Sequence, residues 1–148
     1  MSIGIGFLIS DISALMRRRF DERARSIGVT RAQWRTLAAL SRHEGINQGK
    51  LAELLEVEPI TLCRMIDRLE EAGHARRRRD PSDRRAWNIY LTDQSRPLLD
   101  QLHAIGTDLV EAALAGLSQH DCAAMSASLD HMRDNLTGLS SKDQAAHG

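Results

Sequence analysis

The sequence lacks the features that mark disulfide-rich, secreted or membrane-spanning proteins. Its 148 residues include only two cysteines, Cys63 and Cys122, which lie far apart and form no CxxC pair. The apolar start MSIGIGFLIS is interrupted by glycine, serine and aspartate and is much shorter than the roughly 20 apolar residues of a membrane span. No charged segment followed by an apolar run opens the chain. We therefore expect a reduced, cytoplasmic protein.

Motifs of enzymes and metal sites are missing as well. There is no GxSxG elbow and no phosphate-binding glycine loop, and the histidines form no HExxH or paired Cys/His spacing. A metal site built across a dimer from His103, His120 or His131 with nearby aspartates stays open as an alternative, although histidines on polar helix faces are the more common case. We expect no enzymatic activity, no cofactor and no metal.

The formal net charge is zero, so bulk charge gives no indication of a partner, but its distribution is uneven. Residues 1–91 carry 17 Lys and Arg against 12 Asp and Glu, a net charge of +5, whereas residues 92–148 carry 3 against 8, a net charge of −5. We expect the two parts to face different partners.

Helical spacing of apolar residues governs the first half of the chain. Residues 7–27 predict a long first helix, which Gly28 ends. Thr30 with Gln33 three residues later has the form of a capping box, which predicts the start of a second helix.

Two shorter helices follow. Asn47 can cap a third helix, whose predicted inward face is Leu51, Leu54 and Leu55. Pro59 suits the first position of a fourth helix, predicted from about Pro59 to Ala72, with the buried stripe Leu62, Met65, Ile66 and Leu69. Two short helices joined by a tight break predict a helix-turn-helix.

After Gly73 the apolar period changes from helical to two. Residues 74–79 and 84–91 predict two strands around the turn Asp80-Pro81-Ser82-Asp83. A β-hairpin directly after a helix-turn-helix is a wing, so residues 30–91 predict a winged helix-turn-helix lobe.

Beyond Thr92 the chain is predicted to be helical again. A first stripe with a period of 3.5 residues comprises Leu98, Leu102, Ile105, Leu109 and Ala112. Ser118 with Asp121 can cap a last helix, whose stripe is Cys122, Met125, Leu129, Met132 and Leu136. Pro97 lies too far inside for a helix that begins at Thr92, so the helix begins nearer Ser95 or kinks. Residues 5–27 and 93–138 therefore predict dimerisation helices in a mainly α fold.

Off the buried stripe of the fourth helix, Thr61, Arg64 and Arg68 project from one exposed face. A DNA recognition helix needs this arrangement, because its polar residues reach base edges and its arginines reach guanine or phosphate. The alternative is a solvated face on which Arg64 and Arg68 pair with Asp67 and Glu71.

The predicted wing is unusually basic. Against only two aspartates it carries Arg76, Arg77, Arg78, Arg79, Arg84 and Arg85. Phosphates would supply the opposite charge, and an arginine at the tip can enter a narrow minor groove. The alternative is that these charges only protect an exposed sheet edge, which usually takes one or two lysines.

The stretch ITLCRMIDRLEEAG followed by RRRRDPSDRRAWNIYLT resembles the recognition helix and wing of the MarR family of transcriptional regulators. The DPSDRR tip is the most specific part, and the resemblance extends over most of the chain. It implies a homodimer on a pseudo-palindromic operator, acting as a repressor by default. The alternative, a winged-helix protein-interaction module without DNA readout, would favour an uncharged or acidic wing.

The resemblance also implies roles for individual residues. It places Pro59, Ile60, Thr61 and Arg64 at the major groove. It places Arg85 in the minor groove, Arg84 on the DNA backbone, and Asp83 where it supports the wing arginine.

Relatives of this kind often bind a phenolic or other small aromatic effector between the dimerisation helices and the DNA-binding lobe. Trp34, Phe7, Phe20 and Leu102 are candidates for such a crevice, although plain core packing is the commoner role of such residues. Redox-sensing relatives carry a reactive cysteine in the first helix, and this chain has none there, so peroxide sensing by that route is not expected. Cys63 lies in the recognition helix instead, where a small packing residue is expected.

Overall fold

The computed structural model of the protein describes residues 2–146, with side chains described for residues 4–139. It is mainly helical, with one two-stranded hairpin, as predicted. Its elements are the helices α1 (Ser2–Ser26), α2 (Arg31–Arg42), α3 (Gln48–Leu55) and α4 (Pro59–Glu71), the strands β1 (Ala75–Arg79) and β2 (Trp87–Leu91), a 3₁₀ turn (Asp93–Ser95), and the helices α5 (Arg96–Ala113) and α6 (Gln119–Ala146).

The predicted capping box between α1 and α2 is confirmed. The hydroxyl of Thr30 accepts from the backbone N–H of Gln33 at 3.2 Å, and the side chain of Gln33 accepts from the backbone N–H of Thr30 at 2.9 Å. Gly28 supplies the left-handed turn that precedes this cap, at a φ of 81°. The sequence therefore fixes where the long first helix ends and the lobe begins.

The helix-turn-helix forms where the sequence predicts it. The side chain of Asn47 accepts from the backbone N–H groups of Gly49 and Lys50, which caps α3. Glu56 adopts a left-handed conformation at the end of α3, and Pro59 then begins α4. α4 closes with the backbone N–H of His74 donating to the carbonyl of Leu69 at 2.8 Å.

The hairpin is antiparallel, and its register places Arg77 opposite Ile89. Both strands are shorter than predicted, because residues 80–86 form the turn: the backbone N–H of Asp80 donates to the carbonyl of Ala86 at 3.1 Å. On its other edge, β2 bonds to the loop before α3, with the N–H of Ile89 donating to the carbonyl of Ile46 at 3.0 Å. The wing is therefore anchored to the helix-turn-helix by backbone bonds as well as by packing.

One apolar core joins α2, α3, α4, the hairpin and parts of α1 and α5. Its fully buried large apolar side chains are Leu37, Leu40, Leu51, Leu62, Ile66, Leu69 and Ile89. The predicted inward face of α3 is wrong at one position. Leu54 is 49% exposed and Ala52 is buried instead, because the buried arc of this short helix is centred between Leu51 and Ala52.

The stripe of α5 also differs from the expectation that it serves as a free dimer seam. Leu102 and Ile105 are buried in the protomer's own core, and Leu98 and Leu109 pack against that core. Pro97 is accommodated because the chain first makes a 3₁₀ turn and α5 begins only at Arg96, so that the proline occupies the first turn of the helix.

The chain divides into two compact units, residues 1–109 and residues 110–148. The first unit holds the winged helix-turn-helix together with α1 and most of α5. In the second unit, the hydroxyl of Ser118 accepts from the backbone N–H of Asp121 at 3.0 Å, which confirms the predicted cap of α6. None of the helices within residues 2–146 combines the length and apolar character needed to cross a membrane.

Candidate nucleic-acid interface

α4 presents polar side chains on its exposed face. Thr61, Arg64 and Arg68 are all exposed, while Leu62, Met65, Ile66 and Leu69 on the opposite face are buried. Across the described residues, neither Arg64 nor Arg68 forms an ion pair, and Asp67 binds Arg77 of the wing instead. The pairing of Arg64 and Arg68 with Asp67 and Glu71 is therefore not what the structure shows, and both guanidinium groups face solvent.

The N-terminus of α4 is also open to a partner. The residue that precedes it, Glu58, makes no side-chain capping bond, and Pro59 and Ile60 are exposed, Ile60 to 60%. Backbone N–H groups at such a terminus, together with the helix dipole, favour an anion. This end of the helix can therefore hold a phosphate while Ile60 offers an apolar contact.

The wing tip is held by two aspartates. The carboxylate of Asp80 accepts from the backbone N–H of Ser82 at 2.8 Å and from its hydroxyl at 2.7 Å, and these bonds hold the pKa of Asp80 below its ordinary value. The carboxylate of Asp83 accepts from the backbone N–H of Arg85 at 3.0 Å. Arg84 and Arg85 thus stand on an ordered turn with their side chains exposed.

Two of the four arginines of β1 lie over aromatic rings of the other strand. Arg78 lies over the ring of Tyr90, with its guanidinium carbon 5.0 Å from the ring centroid, and Arg79 lies over Trp87 at 4.4 Å. Arg79 also donates to the carbonyl of Arg84, which ties the strand to the tip. Aromatic rings and carbonyls thus stabilise part of the positive charge that the sequence alone assigned to phosphates.

By sequence, Arg77 belongs to the six wing arginines whose charge phosphates are expected to balance, and in the structure carboxylates of α4 balance it instead. Its side chain is only 13% exposed and forms ion pairs with Asp67 and Glu70 of α4. Burial opposes its charge, but the hydrogen bonds that it donates to Asp67 and Glu70 outweigh burial and raise the pKa of Arg77 above its ordinary value. The alternation of side chains along β1 indicates this inward orientation of Arg77, because Arg77 lies on the same face as buried Ala75 and pairs with buried Ile89 across the hairpin.

The structure brings the wing tip and the start of the recognition helix together. A cleft of about 310 Å³ is lined by Pro59 of α4, by Asp83, Arg85 and Trp87 of the wing, and by residues 47–49. Residues that lie far apart in the sequence therefore share one surface, with an open helix terminus on one side and a free guanidinium on the other. This arrangement suits a polyanion with grooves.

Two of the aromatic residues suggested for an effector crevice pack against each other within the protomer. Phe20 and Trp34 pack on each other with ring centroids 4.5 Å apart, and the indole N–H of Trp34 donates to Asp21 at 2.7 Å. Leu102 is buried, and Phe7 lies 13 residues before Phe20 on one continuous helix, about 20 Å away at 1.5 Å per residue. Phe20, Trp34 and Leu102 thus serve packing within the protomer.

Cys63 and Cys122 are both free and half-buried. Among the residues that the structure describes, no cluster of three or more His, Cys, Asp and Glu side chains is placed to hold a metal ion. The candidate functional side chains of the described residues therefore lie on one basic surface, formed by α4 and the wing.

Comparison with known proteins agrees with this architecture. The profile of the MarR family matches residues 29–87, which span the helix-turn-helix and most of the wing. The solved structure of the transcriptional regulator PA3341 is 32% identical and superposes with a TM-score of 0.75, covering 90% of this chain and 98% of its own.

Two further structures extend the likeness. A MarR transcriptional regulator from Methanosarcina mazei Go1 is 26% identical with a TM-score of 0.78, covering 91% of this chain and 97% of its own. A mutant MepR from S. aureus, solved bound to an oligodeoxyribonucleotide, is 26% identical with a TM-score of 0.60, covering 89% of this chain and 97% of its own. The chain therefore belongs to the MarR family of winged helix-turn-helix transcriptional regulators.

Proposed function

We propose that the protein binds double-stranded DNA sequence-specifically as a homodimer and represses transcription in the cytoplasm. The observation that carries this proposal is the shared surface of α4 and the wing, on which Arg64, Arg68, Arg84 and Arg85 are exposed and form no ion pair within the described part of the chain. Unpaired arginines on one face are expected where phosphates supply the opposite charge. The DNA-bound MepR relative supports the same use of this fold.

Each element of the surface has a proposed role. Thr61 and Arg64 read base edges in the major groove, with Pro59 and Ile60 beside them at the helix N-terminus, while Arg68 contacts a phosphate. Arg85 enters the minor groove and Arg84 contacts the backbone, and the bond from the backbone N–H of Arg85 to Asp83 supports this placement by fixing the turn.

The dimer is supported by apolar side chains that a single protomer leaves exposed. In the first half of α1 these are Ile5, Phe7, Leu8, Ile12 and Leu15, each at least half exposed. In α6 they step along the helix by three and four residues at Met125, Leu129, Met132, Leu136 and Leu139. Long apolar rows of this kind indicate a protein interface, and a second copy of the chain offers apolar rows of the same kind to cover each of them.

The mechanism follows from this symmetry. Two recognition helices enter successive major grooves of a pseudo-palindromic site, about one helical turn or 34 Å apart, and the wings reach the flanking minor grooves. A dimer seated on a promoter excludes the polymerase, which gives repression.

A small aromatic or phenolic effector would act by stabilising a dimer whose helix spacing does not fit the DNA. A cleft of about 350 Å³ lies between the lobe and α5, where Ser41, Glu44, Leu99 and His103 contribute to its lining. Its volume suits a small ligand, and its polar groups can bind a phenolic hydroxyl.

The first experiment is fluorescence anisotropy of the parent protein and the Arg85→Ala variant, titrated into the DNA upstream of its own gene and into a scrambled duplex at two salt concentrations. We expect tight, salt-sensitive binding to the upstream DNA. The Arg85→Ala variant should lose about ten- to a hundredfold in affinity, with a shallower salt dependence.

The Arg18→Ala variant is the matched control, because it removes the same charge from an exposed position on α1. Equal, weak binding of the parent to both duplexes would overturn sequence-specific DNA binding and favour the protein-interaction module. Transcription in vitro from the same promoter, with and without the protein, tests repression separately.

A further inference from the structure

We infer that Arg77 is a positioning residue that locks the wing to the recognition helix, so that α4 and the wing tip meet the DNA as one rigid unit. The inference rests on the proposed function, and it assigns to Arg77 a role different from that of the other wing arginines. Arg77 acts through Arg85 and does not itself contact the DNA.

The hydrogen bonds of Arg77 connect three elements. From β1 its Nε donates to the side-chain oxygen of Gln48 in α3 at 2.9 Å. One terminal nitrogen donates to Asp67 at 2.7 Å and to Glu70, and the other donates to the carbonyl of Cys63 at 3.0 Å. One guanidinium therefore joins the wing to α3 and to two turns of the recognition helix.

The main chain of Arg77 takes part as well. Its backbone N–H donates to the carboxylate of Glu70 at 3.2 Å, so this one carboxylate binds both the strand and the guanidinium. A two-stranded hairpin has little stability of its own, and Ala75 and Ile89 are the residues of its two strands that are fully buried. Within the described part of the chain, the side-chain hydrogen bonds between the strands of the hairpin and α4 are all made by Arg77.

No donor of Arg77 remains for a phosphate. A guanidinium has five N–H groups, and the acceptors around Arg77 are Gln48, Asp67, Glu70, the carbonyl of Cys63 and the Cys63 sulfur at 3.6 Å. Its planar fork fits this set, whereas a lysine ammonium has three donors and one point of charge. The side chain is also 13% exposed, which separates it from the exposed Arg85.

Removal of Arg77 would leave the carboxylates of Asp67 and Glu70 without their positive partner. Asp67 and Glu70 are about one turn apart on α4 and flank the face that carries Arg64 and Arg68. Without Arg77 these two carboxylates repel each other, and the wing loses its hydrogen-bonded contact with α4. The Arg77→Gln variant should therefore free the wing and weaken DNA binding together.

The test has a first arm without DNA. Amide hydrogen exchange across residues 75–91 should be faster in Arg77→Gln than in the parent, while the Arg78→Gln variant should exchange like the parent. Arg78 is the matched control, because it is the next residue on the strand and its guanidinium lies over the Tyr90 ring without an ion pair to any of the described residues. Unchanged exchange in Arg77→Gln overturns the inference whatever the DNA result.

The second arm is a double-mutant cycle with Arg85→Ala, measured by anisotropy on the upstream duplex. If Arg77 acts through Arg85, each single variant loses about ten- to a hundredfold in affinity, and the double variant binds no more than about twofold more weakly than the single variant with the lower affinity. The salt slope then falls by about one in all three variants. If Arg77 contacts phosphate itself, the losses multiply and the slope falls by about two in the double variant, which overturns the inference.

The Arg77→Lys variant guards against a folding defect, because it keeps the positive charge and loses most of the bonds. We expect Arg77→Lys to fold, to exchange faster in the wing and to bind DNA more weakly than the parent. Parent-like exchange and binding in Arg77→Lys would show that only the charge matters and would overturn the positioning role. If the parent protein binds no DNA, only the proposed function is overturned, because the hydrogen-exchange measurement still tests whether Arg77 holds the wing against α4.

Discussion

The winged lobe and the outer helices use their apolar residues in opposite ways. In the lobe, Leu37, Leu51, Ile66 and Ile89 are completely buried within one protomer. In the first half of α1 and in α6, equally large side chains such as Leu8 and Leu136 are 60% and 64% exposed. The lobe therefore folds around its own core, whereas the apolar rows of these two helices need a partner to be covered.

The comparison also separates two kinds of surface. The exposed face of the lobe is basic and polar, and it suits a polyanion, while the exposed rows of the outer helices are apolar and suit another protein surface. One short chain thus carries two interfaces of different chemistry, and each can be broken without the other.

The largest effect is expected from a charge placed in the apolar row of α6. Leu129→Asp puts a carboxylate at two symmetric places in the proposed dimer, where desolvation is costly, and should raise the dimer dissociation constant by about a hundredfold or more. Sedimentation velocity over a concentration series measures the change.

The control for this substitution is Asn135→Asp, which adds the same charge to an exposed polar position of α6. The lobe should keep its fold in both variants, because its core lies in the first compact unit. A Leu129→Asp protein that stays dimeric at nanomolar concentration would show that this row is not the interface.

An intermediate effect is expected on the polar face of the lobe. Thr61→Ala removes one contact to a base edge, so discrimination between the operator and single-base variants at the contacted position should fall by about 1–3 kcal/mol. Affinity for scrambled duplex should hardly change, because phosphate contacts persist. Competition binding with a panel of single-base variants gives the readout.

Thr107→Ala, at an exposed position of α5, is the matched control for Thr61→Ala. Should Thr61→Ala lower affinity equally for operator and scrambled DNA, Thr61 contacts the backbone and another residue reads the base.

The smallest effect concerns the joint between α1 and the lobe, where Asp21 binds Arg31 and Trp34. The hydrogen bond with Arg31 lowers the pKa of Asp21 in the folded protein. The ionised carboxylate of Asp21 therefore contributes its full stabilisation of the fold above the unfolded-state pKa of about 3.9, and this contribution is lost as the pH falls through the lower folded-state pKa. Asp21→Asn should cost about 1–2 kcal/mol at pH 7 and less at strongly acidic pH.

Urea unfolding of the parent and Asp21→Asn at pH 7 and near pH 3 measures this difference, with exposed Asp100→Asn as control. A destabilisation of the same size at both pH values would mean that the carboxylate charge is not what stabilises the joint.

Much of the architecture could be predicted because it depends on neighbours along the chain. The Thr30–Gln33 box, the Asn47 cap, Pro59 at the start of α4 and the cap at Ser118 act over three residues or fewer, and each lies where the sequence places it. The exposed face of α4 follows in the same way from helical periodicity.

Predictions were less successful where a side chain depends on elements far away in the sequence. The stripe of α5 has the same spacing as that of α6, yet Leu102 and Ile105 pack into the protomer's core while Leu129 stays exposed. The spacing of apolar residues along a helix does not determine whether that apolar stripe packs into the protomer's own core or against a partner. The misplaced Leu54 has the same cause, since a helix of two turns is rotated by the helices that it packs against.

Arg77 and Arg85 show the division most clearly. Both belong to one basic stretch of the wing. The sequence by itself determined the winged helix-turn-helix, its caps and the positive charge of its wing, because these features follow from local periodicity and local hydrogen bonding. Only the tertiary structure decided that Arg77 turns inward to Asp67, Glu70 and Gln48 while Arg85 stays exposed. The reason is that strand register and helix packing set which side of the hairpin faces a carboxylate and which faces solvent.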